Sequence, residues 1–170
     1  LIVRRYALRD PERVTGYLVT SPMCGMAVEV PFHKSILAGI AAKVWPSLAL
    51  PSGVKASDIS HVERVCRKYA DDPLVFSTAT ARWFVSARRA MANTYERAPE
   101  IEAPCLMLIA GSDELVDPRA SEEVFHRMGS NDREMELYPE LFHEILNEKQ
   151  WDDILRRMLD WMELERGRKS

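Results

Sequence analysis

Glycine is scarce in this sequence, with 7 among 170 residues, and no Gly-x-Ser-x-Gly, Gly-x-Gly-x-x-Gly or glycine-rich phosphate loop occurs. The chain therefore carries neither a serine held on a sharp strand-to-helix turn nor a loop whose backbone N–H groups cradle phosphates. No lysine sits in a Schiff-base context, so no cofactor is expected. Cysteine is rarer still: Cys24, Cys66 and Cys105 are odd in number and far apart. That spacing excludes C-x-x-C zinc or redox pairs and leaves reduced, structural thiols. Charge of one sign is also lacking, since 23 basic and 26 acidic residues are interspersed for a net −3. Nucleic-acid binding needs a basic surplus that is absent here. No apolar run approaches the roughly 20 residues needed to cross a bilayer, and the start shows no signal-peptide pattern.

What is present is apolar side chain, 46% of the residues, enough to fill a core, with one domain as the default. Leu1 to Leu8 follows a helical pattern stopped by Asp10-Pro11, because proline disfavours helical backbone at the residue before it. Val14 to Thr20 is rich in β-branched and aromatic residues and runs into Ser21-Pro22, as a buried parallel strand does. From about Val30 to Thr94 the strand signal disappears, and short helices broken at Pro31, Pro46, Pro51-Ser52-Gly53 and Asp72-Pro73 take over. Ile36, Leu37, Ile40, Ala41 and Val44 share one helical face, and Ala81, Phe84, Val85 and Met91 share another. Ordinary amphipathic packing explains such stripes; an apolar lid over a pocket is the alternative.

Regular alternation resumes at Pro104 to Ala110, a continuous apolar run suited to a strand covered on both faces. Asp117 caps the next helix, Pro118 opens it, and Gly129 stops it after about Met128. Glu134 to Tyr138 alternates as a strand near a sheet edge would, until Pro139 breaks it. Trp151, Ile154, Leu155, Met158, Leu159 and Met162 recur at spacings of three and four, marking a helix that docks onto the sheet, with the tail beyond Glu163 fraying. Alternating strand and helix implies an α/β fold with a mostly parallel sheet and its chemistry at the carboxyl ends of the strands.

An acid and a histidine each follow such a strand: Asp113 in Gly111-Ser112-Asp113-Glu114-Leu115-Val116-Asp117-Pro118, and His143 in Leu141-Phe142-His143-Glu144. Acyl transfer by a serine needs an imidazole that takes the hydroxyl proton and a buried carboxylate that fixes its tautomer. Asp113 and His143 suit those roles, and acid before histidine is the chain order of one triad arrangement. Asp117 and Glu114 compete for the acid role; Asp117 already has a capping duty, which favours Asp113. His33 and His61 belong to the inserted helices and His126 lies near a helix end, where a cation meets the negative dipole. None of the histidines has metal-site spacing, so no metal is expected.

Five stretches together resemble the monoacylglycerol lipase and lysophospholipase branch of the α/β-hydrolases, a branch of the serine aminopeptidase S33-like group. They are Val19 to Pro22, Ala41 to Val44 with Leu48 to Pro51, Asp71 to Val75, Gly111 to Pro118, and Tyr138 to Asn147. The resemblance implies Asp113 as triad acid, His143 as base, and a helical cap whose apolar outer surface docks on membrane while its inner face admits an acyl chain. It divides the chain into core (1–29), cap (30–97) and core again (98–170). It places the nucleophile and the His-Gly oxyanion loop upstream of Leu1, so the chain is expected to be a C-terminal part and inactive alone. The whole protein is expected to be a cytoplasmic, peripherally membrane-associated esterase of monoacylglycerols or lysophospholipids. A thioesterase, epoxide hydrolase or dehalogenase on the same fold, or a non-catalytic binding protein, are the competing readings.

Overall fold

A computed structural model describes residues 2–167 except 10–12, 14 and 29. In chain order the elements are α1 (Ile2–Arg9), β1 (Tyr17–Thr20), α2 (Phe32–Val44), β2 (Ala49–Pro51), α3 (Glu63–Asp71), β3 (Thr78–Thr80), α4 (Ala81–Glu96), β4 (Cys105–Ala110), α5 (Pro118–Arg127), β5 (Arg133–Tyr138) and α6 (Trp151–Gly167). The expected helix stop at Asp10-Pro11 and the expected strand start at Val14 lie outside the described residues.

The main sheet is parallel, in the order β1-β4-β5. Every residue of β4 is buried, because its alternating side chains serve two cores. Cys105, Met107 and Ile109 pack with Tyr17, Ile101, Phe125 and Met128 on the α5 side. Leu106, Leu108 and Ala110 meet Leu141, Ile145, Ile154 and Trp161 on the α6 side. At roughly 1.5–3 kcal/mol for each fully buried large aliphatic, β4 is the main source of hydrophobic stabilisation in the sheet. The local signals of α5 behave as expected: the Asp117 side chain accepts from the Arg119 N–H, Pro118 is the first helical residue, and Met128 closes the helix. Gly129 follows the helix end without the left-handed backbone of a glycine stop; packing requires it instead, since a Cβ there would collide with the Pro99 carbonyl.

Three expectations need correction. The inserted segment does contain strands: β2 and β3 form an antiparallel pair, each of three residues and so too short to leave a readable period. On α6 the docking stripe runs through Ile154, Met158, Trp161 and Glu165, of which Ile154, Trp161 and Glu165 are buried, while Leu155, Leu159 and Met162 are exposed. The buried residues keep helical steps of three and four, and this carries the helix to Gly167 instead of fraying after Glu163. The α2 stripe also fails as interior packing. Ile36, Leu37, Ile40, Val44 and the adjoining Trp45 are 48% to 80% exposed, whereas the small Ser35, Ala38, Ala41 and Ala42 are partly buried. Among the described residues no helix is long and apolar enough to cross a membrane.

Candidate active site

Because β4 and β5 are parallel and adjacent, the loops that follow them leave the same edge of the sheet. They are stitched together by backbone. Gly111 N–H donates to the Tyr138 carbonyl at 2.8 Å, Ser112 N–H to the Leu141 carbonyl at 3.1 Å, and the Ser112 hydroxyl to the Pro139 carbonyl at 2.9 Å. Only glycine allows this approach at position 111, since an added Cβ would lie 2.6 Å from Pro139 Cα. The loop after β1 braces the far side, with Ala27 N–H donating to the Leu115 carbonyl and Asp117 N–H to the Gly25 carbonyl.

This stitching brings Asp113 and His143 together. His143 Nδ1 lies 2.7 Å from Asp113 Oδ2, with the acid side chain 1% and the imidazole 28% exposed. The other carboxylate oxygen, Oδ1, accepts from Leu115 N–H at 2.8 Å and Val116 N–H at 3.0 Å. Such an acid is held at both oxygens and cannot swing away from the ring. A carboxylate that only accepts places the ring proton on Nδ1 and leaves Nε2 free to accept a proton. Among the described residues no serine or cysteine bonds to the His143 ring.

The two rival acids sit elsewhere: Asp117 caps α5 through Arg119 N–H at 2.9 Å, and Glu114 is exposed. Ser21, at the end of β1, is buried, holds φ at 35° and has a hydroxyl with no partner among the described residues. A groove of about 650 Å³ runs between α3 and the segment after His143, lined by Arg64, Lys68, Tyr69, Glu144 and Asn147 among others. Neither Asp113 nor His143 lines it. Burial and then the negative Glu144 raise the Tyr69 phenol above its usual range. Beside the site, Tyr138 is pushed up to about 12, first by burial and then by Glu136.

His61 is more than a bland histidine of the inserted segment. Its Nδ1 lies 3.0 Å from Oε1 of Glu148, a nearly buried carboxylate, and its ring stacks on Phe142 at 3.8 Å. Sequence gives no signal for this contact between residues 87 positions apart.

A parallel sheet whose successive strand ends present a held acid and then a histidine is the C-terminal part of an α/β-hydrolase fold. The family model described as serine aminopeptidase, S33, matches residues 1–150, and the chain belongs to that family. It is 27% identical over 153 residues to phospholipase YtpA of Bacillus subtilis, covering 87% of this chain and 57% of that protein. It is also 27% identical to a putative monoglyceride lipase of Schizosaccharomyces pombe, over 85% of this chain and 39% of the relative. The chain thus spans little more than half the length of these relatives, or less. The crystal structure of Paleococcus ferrophilus monoacylglycerol lipase has the same fold, with a TM-score of 0.89 at 24% identity over 96% of this chain and 64% of that one.

Proposed function

We propose that this chain is the acid- and base-bearing part of a serine hydrolase that cleaves carboxylic esters of lipids, monoacylglycerols or lysophospholipids foremost. The observation that carries the reading is the contact of His143 Nδ1 with an Asp113 carboxylate whose other oxygen is locked by two backbone N–H groups. In this reading a serine supplied by sequence outside these residues loses its proton to His143 Nε2 as it attacks the ester carbonyl. The imidazolium, stabilised by Asp113, then protonates the departing alcohol, and a water activated by the same ring releases the fatty acid. Residues 30–97 act as the cap, and the exposed stripe of α2 contacts the lipid surface from which substrate enters. The names of the relatives support the lipid-ester class, and an external nucleophile is supported because no serine hydroxyl among the described residues bonds to the His143 ring.

The test compares residues 1–170 with the full-length protein on monoacylglycerol and lysophosphatidylcholine, together with labelling by a fluorophosphonate. Turnover and labelling by the full-length protein alone are expected. Serine-dependent turnover by residues 1–170 would overturn the external nucleophile, and a full-length protein that reacts with neither substrate nor probe would overturn the hydrolase reading.

A further inference from the structure

His143 is held by its neighbours on both sides, and both holds lead to the same short piece of the inserted segment. The residue before it, Phe142, donates its N–H to Glu148 Oε1 at 3.3 Å. The residue after it, Glu144, donates its N–H to the Ile59 carbonyl at 3.0 Å. Glu148 Oε1 also accepts from the His61 N–H and meets the His61 ring, both at 3.0 Å. The His61 ring lies flat on Phe142. Ser60 completes the junction by donating its hydroxyl to the Asn147 carbonyl at 2.9 Å. Ile59, Ser60 and the Glu148 side chain are all nearly buried, while the His61 ring is partly open to solvent, so the carboxylate at the centre of the junction is shielded from competing water.

We propose that Glu148 and His61 are positioning residues that couple the seating of the cap to the placement of the His143 imidazole. This inference rests on the hydrolase reading above. Removing the Glu148 carboxylate takes the acceptor from two part-buried N–H groups, those of Phe142 and His61, and frees the backbone just before His143. A base displaced by even an ångström costs on the order of 100-fold in rate. Lifting the cap segment would release the same backbone. A cap seated on its substrate and a base in register with its acid are therefore one structural state.

The experiment uses the full-length protein with Glu148→Ala, Glu148→Gln and His61→Ala. It measures kcat and KM on a short water-soluble ester and the imidazole nitrogen resonances of His143. Glu148→Ala is expected to lower kcat roughly 10- to 100-fold with little change in KM, and to shift the His143 ring signals. Glu148→Gln keeps an oxygen that can accept both N–H groups and should recover most of the loss. His61→Ala, which removes the stack and the ring contact only, should shift the same signals less. A folded Glu148→Ala protein with native kcat and native His143 signals would overturn the proposal, as would equal damage from the Gln and Ala variants. If the full-length protein does not hydrolyse esters, the hydrolase reading fails while the His143 signals still decide whether the clasp positions the ring. If Glu148→Ala does not fold, Glu148→Gln and His61→Ala decide the same question.

Discussion

Asp113→Asn isolates the tautomer argument from simple loss of structure. In the native site Oδ1 takes two backbone N–H groups while Oδ2 faces His143 Nδ1. An asparagine must choose which end faces which. Turning its NH₂ toward Leu115 and Val116 would set donor against donor and strand two N–H groups, at about 1–3 kcal/mol each. The amide oxygen therefore takes the Oδ1 position and the NH₂ faces His143. Nδ1 must then accept, which moves the ring proton to Nε2, where it blocks proton uptake from a nucleophile. A wrong tautomer with intact geometry costs about 10,000-fold in kcat in such triads, or ~5.5 kcal/mol of barrier. Folding should suffer much less, by about 1–2 kcal/mol, because each N–H exchanges a charged acceptor for a neutral one. The assay pairs kcat of the full-length variant with its denaturation midpoint and with imidazole nitrogen NMR. A folded variant within about tenfold of native kcat, or one whose His143 proton stays on Nδ1, would refute the reasoning.

Gly111→Ala should destabilise the fold by about 1–3 kcal/mol, since its Cβ would sit 2.6 Å and 2.8 Å from the Pro139 Cα and carbonyl oxygen and backbone cannot yield cheaply; an unchanged denaturant midpoint would contradict this close approach. Tyr138 titrates near 12 when folded against 10.0 as its ordinary value, so the folded state holds that proton more tightly. Its contribution is complete below pH 10 and is lost as pH rises toward about 12, and Tyr138→Phe should flatten that limb of the stability–pH curve. Ile40→Asp, on the exposed stripe of α2, should weaken sedimentation with anionic or zwitterionic vesicles without lowering thermal stability; unaltered vesicle binding would move the lipid contact elsewhere.

What could be read from sequence was local. The apolar run of β4, the Asp117-Pro118 helix start and the placement of Asp113 and His143 after strands each depend on neighbours within a few residues, and propensity acts at that range. Contacts made by distant segments were illegible for the same reason. The β2–β3 pair joins three-residue strands separated by α3. The His61–Glu148 contact spans 87 residues, and no local pattern distinguishes a histidine that clasps from one that is merely solvated. On α6 the apolar residues cover more than half the helix circumference, so periodicity identified the helix and missed Trp161 as its anchor.

The α2 stripe shows where pattern and energy part. Its periodicity reads as an ordinary core-facing helix, yet the helix turns its small residues inward and its large ones out. On the inward face Ser35 accepts a hydrogen bond from Arg88 of α4 at 2.7 Å. Small inward side chains let two helices approach closely, but they return little hydrophobic free energy. The large side chains at 36, 37, 40, 44 and 45, which are half to four-fifths exposed, leave roughly 4–9 kcal/mol of burial unrealised at 1.5–3 kcal/mol per side chain. Nothing within the described fold collects that free energy, so it is available to an apolar surface that meets α2 from outside. The same stretch between β1 and β4 grips the His143 loop through Ile59, Ser60 and His61. A surface that engages α2 would act on the same stretch of chain, between β1 and β4, that supplies Ile59, Ser60 and His61 to the His143 loop, so in the proposed hydrolase surface binding and catalysis draw on one segment.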